Sequence, residues 1–216
     1  MAILSDQNLI LPKGKLGNLV FYTLNGKTVV RSKPSGNHKN KFNPSPLQLI
    51  QREKLTTING FLKPIKQVLN FGYQQFLTQS KKGMHWAFSE LSAKGYNHTL
   101  ETKVDPSFLK ISKGNLLGPE DSQLRLEGGT IQITWKDNSF EGNARANDEV
   151  SVLCYNVEEK RYKWFQGLTR RNAIQAQVPF DIELGRGSWH IYLIFAQENA
   201  KTRQYLLADS VYLGRI

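Results

Sequence analysis

The hydrophobic period changes partway along the chain, and this limits the possible folds more than any other feature. Between Ser45 and Gly95, apolar residues recur every three or four positions, as on one face of an α-helix. From about Val104 to Ile216 the period falls to two. Ile131, Ile133 and Trp135 recur at every second position; so do Val150, Val152 and Cys154, and then Trp189, Ile191, Leu193 and Phe195. Turn signals separate these runs at Gly128-Gly129, Asp137-Asn138, Glu158-Glu159-Lys160, Gly185-Arg186-Gly187 and Glu198-Asn199. Short alternating strands at this spacing predict an antiparallel β-sandwich.

A third signal precedes both. Asn18–Leu24 and Lys27–Arg31 are rich in β-branched and aromatic residues and are joined by Asn25-Gly26. That dipeptide accepts positive φ at both positions and predicts a hairpin with a type I′ turn. The two-residue loop sets Leu24 opposite Lys27, Tyr22 opposite Val29 and Val20 opposite Arg31. The other face holds Phe21 opposite Val30 and Leu19 opposite Ser32. Both faces then carry apolar side chains, so the hairpin needs a surface to pack against. Ser32 to Pro46, with Pro34, Gly36, Pro44 and Pro46, reads as an extended connector.

Within the helical stretch, Ser45-Pro46-Leu47-Gln48 has the form of a capping box with proline at the first helical position. Leu47, Ile50, Leu55, Ile58, Phe61, Leu62, Ile65, Val68 and Leu69 would line the inner face. Pro64 should kink or divide the helix. A further helix runs from about Met84 to Lys94 and stops at Gly95, with Trp86, Ala87, Phe88 and Leu91 inward. The expected class is therefore α+β: a β-hairpin and a helical hairpin or bundle over residues 1–103, then an immunoglobulin-like antiparallel sandwich over residues 104–216.

Charge is divided as unevenly as period. Met1 to Lys113 holds 17 Lys and Arg against 5 Asp and Glu; Gly114 to Ile216 holds 12 against 13. The whole excess of +11 therefore sits in the first half, which suits a polyanion partner such as nucleic acid. Lys13, Lys15, Lys27, Arg31, Lys33, Lys39 and Lys41 are the candidate contacts, because cations neutralise phosphates and the nearby aromatics can stack on bases. Val20, Phe21, Tyr22 and Val30 are the candidate contacts for a protein partner or a second copy of the chain.

Most enzyme classes lack their sequence marks. His38, His85, His98 and His190 have no ligand spacing, so no metal is expected. Cys154, the single cysteine, reads as a small buried hydrophobe. No nucleophile elbow or phosphate-binding loop is present, and no cofactor is expected. The paired carboxylates Glu120-Asp121, Asp148-Glu149 and Glu158-Glu159 read as solvated turn residues, and Arg170-Arg171 as an isolated basic pair. No apolar run approaches the roughly eighteen residues of a membrane-spanning helix, and the first residues lack the cationic start of a secretion signal. A cytoplasmic or virion-associated location is the expectation.

Several stretches also look familiar. Gly14-Lys-Leu-Gly-Asn-Leu-Val-Phe-Tyr22, Gly26-Lys27, Arg31-Ser32, Gln48 to Arg52, Lys110-Ile-Ser-Lys-Gly114, Thr134-Trp-Lys-Asp-Asn138 and Asp209-Ser-Val-Tyr-Leu-Gly214 together resemble an uncharacterised family of Bacteroidota. The resemblance implies a helical part followed by a sandwich and carries no activity. Ile133-Thr134-Trp135, followed by the long strand Trp189 to Phe195, resembles a fibronectin type III or immunoglobulin-like plan. The functional expectation is a non-enzymatic binding or assembly protein, a homo-oligomer or one bound to another protein. Polyanion binding and an enzyme of unrecognised type are the alternatives.

Overall fold

The computed structural model describes residues 2–3, 13–34, 43–99, 103–179, 187–199 and 202–216. The chain divides into two compact units, Met1–Leu49 and Ile50–Ile216. The change of period at Val104 is thus a change of secondary structure inside the second unit.

The first unit is a four-stranded antiparallel sheet in the order β1-β4-β3-β2, from β1 (Ala2–Ile3), β2 (Gly14–Leu16), β3 (Leu19–Leu24) and β4 (Lys27–Ser32). Asn25 and Gly26 have φ of 51° and 80°, as a type I′ turn requires. The register is the expected one, with Val20 opposite Arg31, Phe21 opposite Val30 and Tyr22 opposite Val29.

Helix α1 (Pro46–Leu62) begins on the capping box. The Gln48 backbone N–H donates to Ser45 Oγ at 3.3 Å, and the Ser45 N–H donates to Gln48 Oε1 at 3.1 Å. Pro64 separates α1 from α2 (Lys66–Gly72). Helix α3 (Gly83–Lys94) ends at Gly95, though for a different reason than a left-handed cap. Gly95 has φ −102°, and a Cβ there would meet Leu91 Cδ1 at 2.6 Å and Phe108 Cβ at 3.0 Å. The glycine serves close approach. No helix among the described residues is long and apolar enough to cross a membrane.

Two antiparallel sheets follow and pack as a β-sandwich. One has the order β5-β6-β9, from β5 (Glu120–Glu127), β6 (Thr130–Lys136) and β9 (Gln175–Pro179). The other has the order β11-β10-β7-β8, from β7 (Glu149–Asn156), β8 (Arg161–Arg170), β10 (Trp189–Glu198) and β11 (Tyr205–Leu207). Strand β12 (Val211–Arg215) also pairs β10, next to β11, so β11 and β12 act as one interrupted edge strand. Ser112 and Ser210 brace the interruption: Ser112 Oγ donates to the Ala208 carbonyl at 2.7 Å, and Ser210 Oγ accepts from the Ile111 N–H at 2.9 Å.

The alternating residues face the sandwich interior as expected. Ile131, Ile133, Trp135, Ala176 and Val178 meet Val150, Val152, Cys154, Trp189, Ile191, Leu193 and Phe195 there, all buried. The residues between them are apolar too. Leu153, Tyr155, Tyr192, Ile194 and Ala196 form a second core with Ile58, Phe61, Leu62, Ile65, Val68, Leu69, Tyr73, Ala87 and Leu91 of the helices. The β7/β10 sheet is therefore buried on both faces, between the helices and the other sheet. Its near-continuous apolar runs are what such a sheet requires. Tyr155 crosses to the helical layer and donates its hydroxyl to the Phe61 carbonyl at 2.6 Å. The expected inner face of α1 holds only from Ile58 onward, since Leu47 and Leu55 are 75% and 52% exposed.

Candidate functional site

The sequence-derived contacts fall on the N-terminal sheet. Strand alternation places Lys15, Val20, Tyr22, Lys27, Val29 and Arg31 on one face. Lys15 pairs Val20, which pairs Arg31, so two cations lie in one cross-strand row. The Arg31 guanidinium sits 5.6 Å from the centre of the Tyr22 ring. Lys13 and Lys33 are exposed beyond the strand ends, and the Lys33 N–H donates to the Asn18 carbonyl at 2.6 Å. Lys39 and Lys41, like His38, lie outside the described residues.

The opposite face carries Leu16, Leu19, Phe21, Thr23, Thr28 and Val30 and no charge. The four expected protein contacts thus divide, with Phe21 and Val30 on the uncharged face and Val20 and Tyr22 on the basic one. All four are half-buried.

In the second unit the carboxylate and arginine readings need correction. Asp148 and Arg171 are fully buried, because they pair with each other: Arg171 Nε donates to Asp148 Oδ2 at 3.1 Å. The same guanidinium donates to Asn138 Oδ1 and to the Leu117 carbonyl, and it stands 4.4 Å from the centre of the Phe195 ring. The Arg171 carbonyl accepts from the Trp135 indole at 2.8 Å. Asp148 further accepts from the Arg145 N–H at 2.9 Å and from Gln197 Nε2 at 2.8 Å. This network joins the β6–β7 loop to the β8–β9 corner and the end of β10. Nothing in the local composition separates Asp148 and Arg171 from the exposed Glu158 and Arg170.

The groups with catalytic potential are placed as follows. Cys154 is buried between the sheets, and desolvation raises its thiol pKa to about 12, the reverse of an activated nucleophile. His85 Nδ1 accepts the Lys82 N–H at 2.9 Å and so caps α3. His190 Nδ1 is 2.9 Å from the Tyr212 hydroxyl. Burial, then the Arg215 charge, lowers its pKa, against a weaker opposing pull from Asp105. These residues line a cavity of about 330 Å³ with Glu158 and Ser188, which offers hydrogen bonds and charges of both signs. Among the described residues no three His, Cys, Asp or Glu side chains gather as metal ligands.

No curated protein and no solved structure matches the chain. The model of one protein family fits residues 11–214, from the second strand of the N-terminal sheet almost to the end of the last strand of the sandwich. The chain therefore belongs to the family of unknown function DUF6266.

Proposed function

We propose that this is a non-enzymatic binding and assembly protein, making protein–protein contacts through its N-terminal sheet and its sandwich. One observation carries the reading. Among residues 13–34 and 43–49 only Thr28 and Val29 are buried, while Leu16, Leu19, Leu24, Leu47 and Leu49 are 42–75% exposed. A unit that small with so little core gains its stability from what it binds. An arm of this form can dock on, or exchange with, a neighbouring copy. The strand order β5-β6-β9 against β8-β7-β10 with β11 and β12 supports likening the sandwich to fibronectin type III or immunoglobulin-like modules, an architecture common in contact-making domains. The resemblance to a Bacteroidota family supports a setting in such a cell, in its cytoplasm, or in a virus of one. Light scattering coupled to size exclusion should show an oligomer whose number of subunits falls when Met1–Ser32 is deleted. An unchanged number of subunits refutes the reading.

Polyanion binding is favoured by a separate observation, the gathering of Lys15, Lys27 and Arg31 with Tyr22 on one sheet face. Three phosphate contacts predict a log–log salt slope of about −3 on duplex DNA. Fluorescence anisotropy across a salt series measures it, and a flat response rejects this second reading.

A further inference from the structure

We propose that the loop end of the sandwich receives the basic N-terminal sheet of a second copy, with Phe140 as the anchor. This rests on the assembly reading above and names its receiving surface.

The loop end joins the start of β5, the β6–β7 loop and the β8–β9 corner. Three non-glycine residues there have left-handed backbone: Asp121 at φ 49°, Phe140 at 70° and Ile174 at 54°. Such conformations are costly for residues with a Cβ, most of all for β-branched isoleucine, and they persist only where surrounding structure imposes them. Two of the three also hold large apolar side chains in water, since Phe140 is 82% exposed and Ile174 48%. The two side chains gain nothing from this exposure in the isolated molecule.

The presentation is rigid. The Phe140 N–H donates to the Ala144 carbonyl, Ala144 to Glu141 and Glu141 to Asn138, which closes a compact turn. The buried Arg171–Asp148 pair fixes this turn from beneath through Asn138, and the Asn172 N–H ties the β8–β9 corner to the Ala146 carbonyl at 3.1 Å. An aromatic side chain held out in advance is the form of an interface anchor, because little ordering cost remains on binding.

Charge identifies the occupant. Asp121, Asp137 and Glu141 are exposed at this end, against an exposed Arg145 and two cations already paired, Lys136 with Glu120 and Arg170 with Glu149. The N-terminal sheet is complementary in both respects. Lys13, Lys15, Lys27, Arg31 and Lys33 occur there with no acidic residue from Lys13 to Pro34, and Leu24, on the same face as Lys15, Lys27 and Arg31, is 49% exposed. The two patches differ, so the contact is heterologous and builds a ring or a filament.

The test uses full-length protein and light scattering. Phe140→Gly keeps a residue suited to positive φ and removes the ring; the mass should fall at least twofold while circular dichroism shows the sandwich still folded. Glu141→Lys should also lower the mass, and adding Arg31→Glu in the same chain should restore it. If both single variants keep the wild-type mass while deletion of Met1–Ser32 lowers the number of subunits, this receiving surface is refuted and the assembly reading stands. A wild-type monomer refutes both.

Discussion

Replacing Asp148 with alanine should destabilise the protein far more than removing any exposed ion pair. Both side chains of the Asp148–Arg171 pair are fully buried. The substitution leaves a buried guanidinium whose remaining contacts, Asn138 Oδ1, the Leu117 carbonyl and the Phe195 ring, carry no charge, with only the exposed Asp137 to offset it from a distance. It also orphans the Arg145 N–H and Gln197 Nε2. Breaking a buried pair from one side costs about 3–5 kcal/mol. For a domain of this size each kcal/mol moves the melting temperature by about 2–4 °C, so the loss is roughly 6–20 °C. Arg170→Ala is the neighbouring control. Its pair with Glu149 spans 3.2 Å, but the arginine side chain is 54% exposed, and such pairs contribute about 1 kcal/mol or less. Urea unfolding followed by tryptophan fluorescence reads both variants, since Trp135 and Trp189 lie in the sandwich core. A second substitution, Arg171→Met, should recover part of the loss by removing the stranded charge, making the double variant milder than the sum of the singles. If Asp148→Ala costs no more than Arg170→Ala, the network does not hold the loop end together, and the rigidity argued for Phe140 falls with it.

Two further outcomes follow from buried titratable groups. The Cys154 thiol, buried and raised to about 12, should be silent toward a thiol-specific disulfide reagent at pH 8 and react fully once denaturant is added; rapid reaction of the native protein would show that β7 opens readily. His190 is favoured in its neutral form on folding, so its contribution is present above the ordinary histidine pKa of 6.5 and is lost as pH falls below it. His190→Gln should therefore lose less stability than wild type between pH 7.5 and pH 5.5; equal losses would assign the acid sensitivity to other groups.

Local signals carried much of this fold. Asn25-Gly26 set the hairpin register because a type I′ turn leaves no freedom in pairing. Ser45, Gln48 and Pro64 marked where α1 starts and stops through hydrogen bonds and ring sterics that act within four residues. Alternation also found the sandwich interior. It described only one face of β7 and β10, however. Leu153, Tyr155, Tyr192 and Ile194 break the hydrophobic–polar pattern, and a strand with apolar residues at every position is one covered on both sides. Of the candidate site, period two divided the hairpin into Lys27 and Arg31 on one face and Phe21 and Val30 on the other, whereas Lys15 joins the basic face only through β2, for which the sequence carries no strand signal.

The charged residues show where local reading ends. Asp148-Glu149 and Arg170-Arg171 look like two ordinary turn pairs. Arg170 is exposed and Glu149 half-buried beside it, while Asp148 and Arg171 turn inward and meet across 23 residues of sequence. Burial of a charge depends on a partner brought there by topology, here by the antiparallel pairing of Glu149 with Arg170. The left-handed backbone of Phe140 and Ile174 is no easier to read, since the Phe140 turn is anchored through Asn138 to Arg171, 33 residues on, and the Ile174 carbonyl accepts from the Trp135 N–H. Buried charge and backbone strain at one end of the sandwich thus have a common origin. The ion pair that removes two charges from water also supplies the rigidity that keeps an aromatic side chain in it.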